Sequence, residues 1–291
     1  MKLIRKTVKK LRKGMRRLHS LKEIARLSCQ SNAASKSLAK VFRETLHNRP
    51  APEEKVWIEK IESLRSKLNS STEQVTLMDY GAGSPEGEGS IADHKACEGK
   101  VKTKMIGEVC RIASKPYLWS FLLLKLIREF RPLVCLELGT CLGISASYQA
   151  AALNLNQSGR IVSLEGAESL ARLAEGHFQT LGLDNVDVVV GLFQDTLKSV
   201  LEENRPIDYA FVDGHHQEEA TIAYFREILP FLSERAVVIF DDIAWSEGMK
   251  RAWIAIKAHE KVKICVDLAS VGICIIDSSI TQRLSFRMRL G

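Results

Sequence analysis

From residue 132 onward the chain alternates between two hydrophobic periods, and that alternation limits the fold more than any other feature. Short β-rich runs occur at "LVCLEL", "RIVSLE", "VDVVV", "IDYAFVD", "AVVIFDD", "KICVDL" and "GICIID". Helical patterns separate the first six, and only a few residues join the last two. A strand that must cross over a helix to reach the next strand does so right-handedly and lies parallel to it. The short last connection instead predicts a hairpin, which adds one antiparallel strand. The expected fold class is α/β, an open, doubly wound sheet of seven strands, the last antiparallel, preceded by an N-terminal helical extension.

Upstream of this region the pattern is helical and the charge is uneven. The 291-residue chain carries a net charge of +7, but residues 1–49 hold 15 Lys and Arg against 2 Asp and Glu, a charge of +13. The remaining 242 residues hold 27 against 33, or −6. The basic character belongs to an arm, and a mildly acidic body has no general attraction for the phosphates of nucleic acid. Within the arm, Ile4, Val8, Leu11, Met15, Leu18 and Leu21 recur at steps of three and four, one face of an amphipathic helix over 1–28. Such a stripe suits packing on the body, contact with a second subunit in a homodimer, or peripheral contact with an anionic membrane.

Residues 29–49 are polar and weakly helical, and 50–131 read as a helical extension. Pro52 and two Glu open a helix at "PEEKVWIEKIESLRSKL", and two more helices follow at "MIGEVCRIAS" and "YLWSFLLLKLIREF", interrupted at Pro116. No apolar run approaches the ~20 residues that span a bilayer, and no signal-type apolar region follows the basic start. The seven Cys are scattered without a CxxC pair. Cys135, Cys141, Cys265 and Cys274 sit in apolar runs, which predicts reduced thiols acting as small core residues in a cytoplasmic protein.

Two glycine-rich stretches compete for the role of a cofactor loop: "LMDYGAGSPEGEGS" at 77–90 and "CLELGTCLGIS" at 135–145. A cofactor turn of a Rossmann-like sheet needs a strand before it, a helix opening directly after it, and an acid ending the next strand to take ribose hydroxyls. The first stretch runs into Ser84, Pro85 and a Gly/Glu tract without helical period, and reads as a lid-like or substrate-side loop. The second has every part: "LVCLEL", a turn at Gly139–Gly143, the helix "ISASYQAAALNLN", and "GRIVSLEG" ending in Glu165, 22 residues after Gly143. Its pattern is Glu137-x-Gly139-x-x-x-Gly143 and not GxGxxG. A carboxylate beside the turn repels a pyrophosphate but attracts a cationic amino-acid head group.

At this point the chain resembles the class I S-adenosylmethionine-dependent methyltransferases. "LELGTCLGISASY", "VSLEGAE", "VVVGLFQDTL", "YAFVDGHH" and "IFDDIAWSEGM" are similar to their successive motifs, in order, over about residues 132–277. The nearest branch holds the catechol and caffeoyl-CoA O-methyltransferases, within it a bacterial group with a DGHH-type fourth motif. The resemblance implies transfer of a methyl group to an oxygen; together with the charge split it gives a basic arm (1–49), a helical extension with a lid-like loop (50–131) and an S-adenosylmethionine-binding domain (132–291). By position, Glu137 and Gly139 would hold the methionine end of the cofactor, with Ser145 on its carboxylate. Thr140 and Gly143 complete that turn. Glu165, followed by Gly166, would bind the ribose, and Phe193 and Gln194 would flank the adenine.

Asp213 ends the fourth strand and Asp241-Asp242 the fifth. In metal-dependent relatives these positions supply the oxygen ligands of Mg2+ or another divalent cation, so Asp213, Asp241 and Asp242 form the implied metal set. Two departures stand out: Asp242 where Asn is usual, and His216 where a catalytic Lys is usual. The resemblance alone prefers His216 over His215, and with Asp213 it is the implied catalytic pair; an imidazole titrates near neutrality and can take a proton from a hydroxyl. The bland alternatives are that the three Asp cap helices, that His215 and His216 make structural hydrogen bonds, and that Trp245 is core. An NAD-dependent oxidoreductase and a non-catalytic scaffold binding a membrane or partner through the basic arm stay open. The acceptor stays open too: a phenol, a carbohydrate, a lipid-linked intermediate or another small metabolite.

Overall fold

The computed structural model describes residues 2–79 and 100–290, with residues 2–13 and Asp79 by their backbone alone. Of the lid-like glycine-rich stretch expected at 77–90, residues 80–90 therefore lie outside the described residues. The N-terminal part runs α1 (Lys2–Ser28), α2 (Ala33–Leu46), α3 (Pro52–Asn69), β1 (Gln74–Asp79), β2 (Lys100–Met105), α4 (Ile106–Ala113) and α5 (Tyr117–Phe130). β1 and β2 pair antiparallel as a separate two-stranded ribbon. The alternating part follows as β3 (Val134–Leu138), α6 (Ile144–Asn156), β4 (Arg160–Glu165), α7 (Glu168–Leu181), β5 (Val186–Val190) and α8 (Phe193–Asn204). It continues through β6 (Ile207–Val212), α9 (Glu218–Ile228), β7 (Leu232–Phe240), α10 (Glu247–Ala258), β8 (Val262–Asp267), β9 (Gly272–Asp277) and β10 (Leu284–Arg287).

The sheet has the order β10-β8-β9-β7-β6-β3-β4-β5. β9 lies antiparallel between β7 and β8, as the short connection predicts. The seven expected strands are all present, and the structure adds an eighth, β10, parallel to β8 at the edge. Along each strand, side chains alternate between two cores. Cys135, Tyr209, Phe211 and Ile239 pack with α2, α3, α5, α6 and α7 on one face. Leu136, Leu138, Val212 and Phe240 pack with α8, α9 and α10 on the other. Both faces are covered, which is why the strands read as nearly continuous apolar runs. Strand order reverses between β3 and β6, and the crevice at their carboxyl ends is where such sheets bind ligands.

The basic arm is not a simple appendage. Met15 and Leu18 are 63% and 57% exposed, but Ile24 and Leu27, further along the same helix, are buried. Ser20 Oγ donates to Arg289 O at 2.7 Å and accepts from Arg289 N at 3.1 Å, fastening α1 beside β10. α2 buries Leu38, Val41 and Phe42, and Asn32 caps it by accepting from Ser35 N at 2.8 Å. Each such apolar side chain contributes roughly 1.5–3 kcal/mol, so from Ser20 on the segment is part of the core. Lys125 of α5, itself buried, ties the layers by pairing with Glu44 of α2 at 2.7 Å and Glu54 of α3 at 2.6 Å. Among the described residues no helix is long and apolar enough to cross a membrane.

Candidate active site

Two successive ladder steps set the floor of the crevice. Asp213 N donates to Leu138 O at 2.9 Å, and Asp241 N donates to Val212 O at 3.0 Å. The sheet thus extends one residue past β6 and β7 and leaves the Asp213 and Asp241 carboxyls side by side at its edge. Above them opens a cavity of about 480 Å³, a size suited to a cofactor and a small second substrate.

One end of the cavity is made of main chain. Gly139 has φ +105°, and a Cβ there would lie 2.3 Å from the Asp213 carbonyl oxygen, so only glycine lets the end of β3 approach β6 this closely. Gly143, at φ +75°, opens α6 against the ring of Phe178. Glu165 clamps the turn from the next strand: its Oε2 accepts from Cys141 N at 2.8 Å and its Oε1 from Ala167 N at 2.9 Å. Burial pushes the Glu165 carboxyl above its ordinary range, partly offset by those backbone donors. Thr140, Ser145, Gly166 and Phe193 also line this end.

Three expectations for this end need correction. Glu137 is fully buried and is not part of the cavity wall. It accepts from Gln149 Nε2 and Ser163 Oγ, both at 2.6 Å, and Ser145, which does line the cavity, is its third hydrogen-bond partner. It is the hub of a polar network beneath the turn, and burial pushes its pKa up to about 7. Gln194 is exposed and lies outside the lining. Cys141 is a turn residue at φ +49° facing the cavity, not a core thiol like Cys135, Cys265 and Cys274.

The other end is made of side chains. His216 Nε2 lies 3.7 Å from Asp213 Oδ1 and 3.8 Å from Asp242 Oδ2. A proton taken at that nitrogen would sit between two carboxylates. His215, His216 and Asp242 all have positive φ, at +62°, +31° and +51°, a concentration of unfavourable backbone found at functional sites. His215 is held differently. Its Nδ1 is 2.6 Å from the Tyr224 hydroxyl, its ring meets the edge of Phe193, and burial lowers its pKa. Trp245 is 43% exposed, lines the cavity, and has its ring 6.3 Å from that of His216, so it is wall and not core.

Sequence reasoning missed Lys115. It lies in the break between α4 and α5, and its Nζ pairs with the Asp241 carboxylate and stands 3.3 Å from Asp213 Oδ1. The one available signal was a cation placed before Pro116 between two apolar helices; nothing local linked it to strand ends about a hundred residues away. The ligand atoms that converge here belong to Asp213, His216 and Asp241; Asp242, expected in the set, is not among them. An ammonium bonded to both carboxylates offers no lone pair and repels a second cation, so this donor set does not fit a divalent ion.

Residues 136–243 match the family model described as a methyltransferase domain. Over those residues the chain is similar to a methyltransferase domain. A Bacillus cereus O-methyltransferase solved with S-adenosylhomocysteine is 24% identical, with a TM-score of 0.50 over 57% of this chain and 84% of that one. A Staphylococcus aureus protein assigned as a caffeoyl-CoA O-methyltransferase gives 18% identity and a TM-score of 0.51, over 58% and 88% of the two chains. A Geobacter sulfurreducens methyltransferase gives 19% and 0.50, over 60% and 86%. At these identities the solved structures speak for the fold of the methyltransferase domain. A search of curated proteins returns no match.

Proposed function

We propose that the chain is an S-adenosylmethionine-dependent methyltransferase that methylates a hydroxyl of a small or carbohydrate-like acceptor. The observation that carries the reading is one cavity with two unlike ends, a glycine turn clamped by an acid and a His–Asp cluster at the neighbouring strand tips. Glu165 keeps acceptor capacity beyond its backbone donors Cys141, Gly166 and Ala167, which suits ribose hydroxyls. Ser145 suits a carboxylate, and Leu142, Leu170, Leu192 and Phe193 offer apolar wall to a flat base. S-adenosylmethionine, bound there, supplies an electrophilic methyl group. Trp245, whose ring lies beside that of His216, offers wall to an acceptor that would rest with its hydroxyl near His216.

His216 Nε2 takes the hydroxyl proton. His215 is a positioning residue that fixes the strained loop through Tyr224. The rest of the contribution is orientation of two reactants in one cavity. Exposed Met15 and Leu18, flanking Arg16 and Arg17, favour an added contact with an anionic membrane surface; co-sedimentation with anionic vesicles, lost in Met15→Glu, tests it. The main reading is tested with methyl-labelled S-adenosylmethionine and a panel of phenolic and sugar acceptors. Label should reach oxygen. Reduction of NAD with hydroxyl substrates, without methyl transfer, would favour the oxidoreductase instead.

A further inference from the structure

We propose that the Lys115 ammonium stands in this chain where a divalent cation would stand, neutralising Asp213 and Asp241 and keeping the site free of metal. The side chains of Lys115, Asp213 and Asp241 are only 12%, 11% and 2% exposed. Two carboxylates so far from water repel each other unless a cation lies between them. Lys115 supplies that cation from the break between α4 and α5 in the N-terminal extension. Its backbone is pinned for the purpose. As the residue before Pro116 it is restricted to extended conformations, and its carbonyl accepts from Ser120 Oγ at 3.1 Å.

The spacing of Asp213, His216 and Asp241, with one ligand atom from each lying within 4.8 Å of the others, is that of a metal site. The space between the two carboxylates is nevertheless already served by a positive charge. That charge brings donors and no lone pairs, so it cannot enter a coordination sphere. It can donate to an acceptor hydroxyl oxygen, because Lys115 lines the cavity. Orientation of the hydroxyl then falls to Lys115, a positioning residue, and proton removal to His216. The proposal rests on the methyl-transfer reading only for what the cation is for. Metal uptake needs neither cofactor nor acceptor, so the two readings fail separately.

The test is titration of Mn2+ into the full-length protein, followed by loss of the free-ion paramagnetic resonance signal. Wild type should take up no Mn2+ at the site. Lys115→Gln should take up one ion at least tenfold more tightly, Asp241→Asn in that background should abolish the uptake, and Lys115→Arg should behave as wild type. Uptake of one ion by wild type that Asp241→Asn removes would overturn the proposal whatever the variants do. A folded Lys115→Gln that binds no better than wild type would overturn it too. If Lys115→Gln does not fold, absence of uptake in wild type with normal folding of Lys115→Arg supports the ammonium as the required charge, and failure of Lys115→Arg to exclude Mn2+ contradicts it.

Discussion

The turn end of the cavity and the cluster end are built from different materials. At the turn, residues 139–143 and Glu165 are fixed by main-chain bonds within two adjacent strands and the loops that follow them. At the cluster, charge is assembled from three distant places: Lys115 between two helices, Asp213 with His216 after β6, and Asp241 with Asp242 after β7. A main-chain site depends on local conformation and tolerates changes far away. A side-chain site depends on every element that delivers a charge, and α5, which follows Lys115, is held in turn by α2 and the Lys125 pairs.

The largest expected effect breaks the cluster end through its support. A chain beginning at Pro50 would lose the buried Ile24, Leu27, Leu38 and Phe42, each worth roughly 1.5–3 kcal/mol. That sum is comparable to the whole stability of a domain. The truncated chain is expected to be insoluble or molten, and circular dichroism with thermal melting checks it. A cooperative melt unchanged from full length would make the arm an appendage after all.

Next in size, His216→Ala should cost on the order of 10²–10⁴ in transfer rate while leaving cofactor affinity unchanged, which single-turnover kinetics and calorimetry can separate. A parallel loss of affinity would mean that the two ends are not independent.

The network beneath the turn gives a pH signature. Glu137 releases its proton at an ordinary 4.5 when unfolded and at about 7 when folded. Between those values the folded chain holds a proton that the unfolded chain has lost, so stability falls as pH rises through the window. The shift corresponds to about 3 kcal/mol. Urea unfolding from pH 4 to 8 should show that decline in wild type and not in Glu137→Gln. An identical slope in both would place the titration elsewhere.

The same contrast explains what the sequence discloses. Strands, crossovers and the cofactor-type turn are legible because their causes are local: apolar period, glycine at positive φ, an acid ending the next strand. Glu137 misleads because the motif ignores strand alternation, which puts it on the same face as Cys135, under α6. α2 did carry a signal, Leu38, Val41 and Phe42 at helical spacing, diluted by polar neighbours. β10 is four residues long with one buried side chain, too little pattern to stand out. Lys115 has no local mark at all, since its meaning comes only from the carboxylates that folding brings to it.

The central claim is that the turn clamped by Glu165 is a cofactor site, and calorimetry on the full-length protein tests it most directly. S-adenosylmethionine should bind wild type with one-to-one stoichiometry, and Glu165→Ala should weaken it tenfold or more, about 1.4 kcal/mol, without lowering the melting temperature enough to unfold the chain. NAD should give no heat. Heat with NAD and none with S-adenosylmethionine, or equal affinity in Glu165→Ala, would contradict the account.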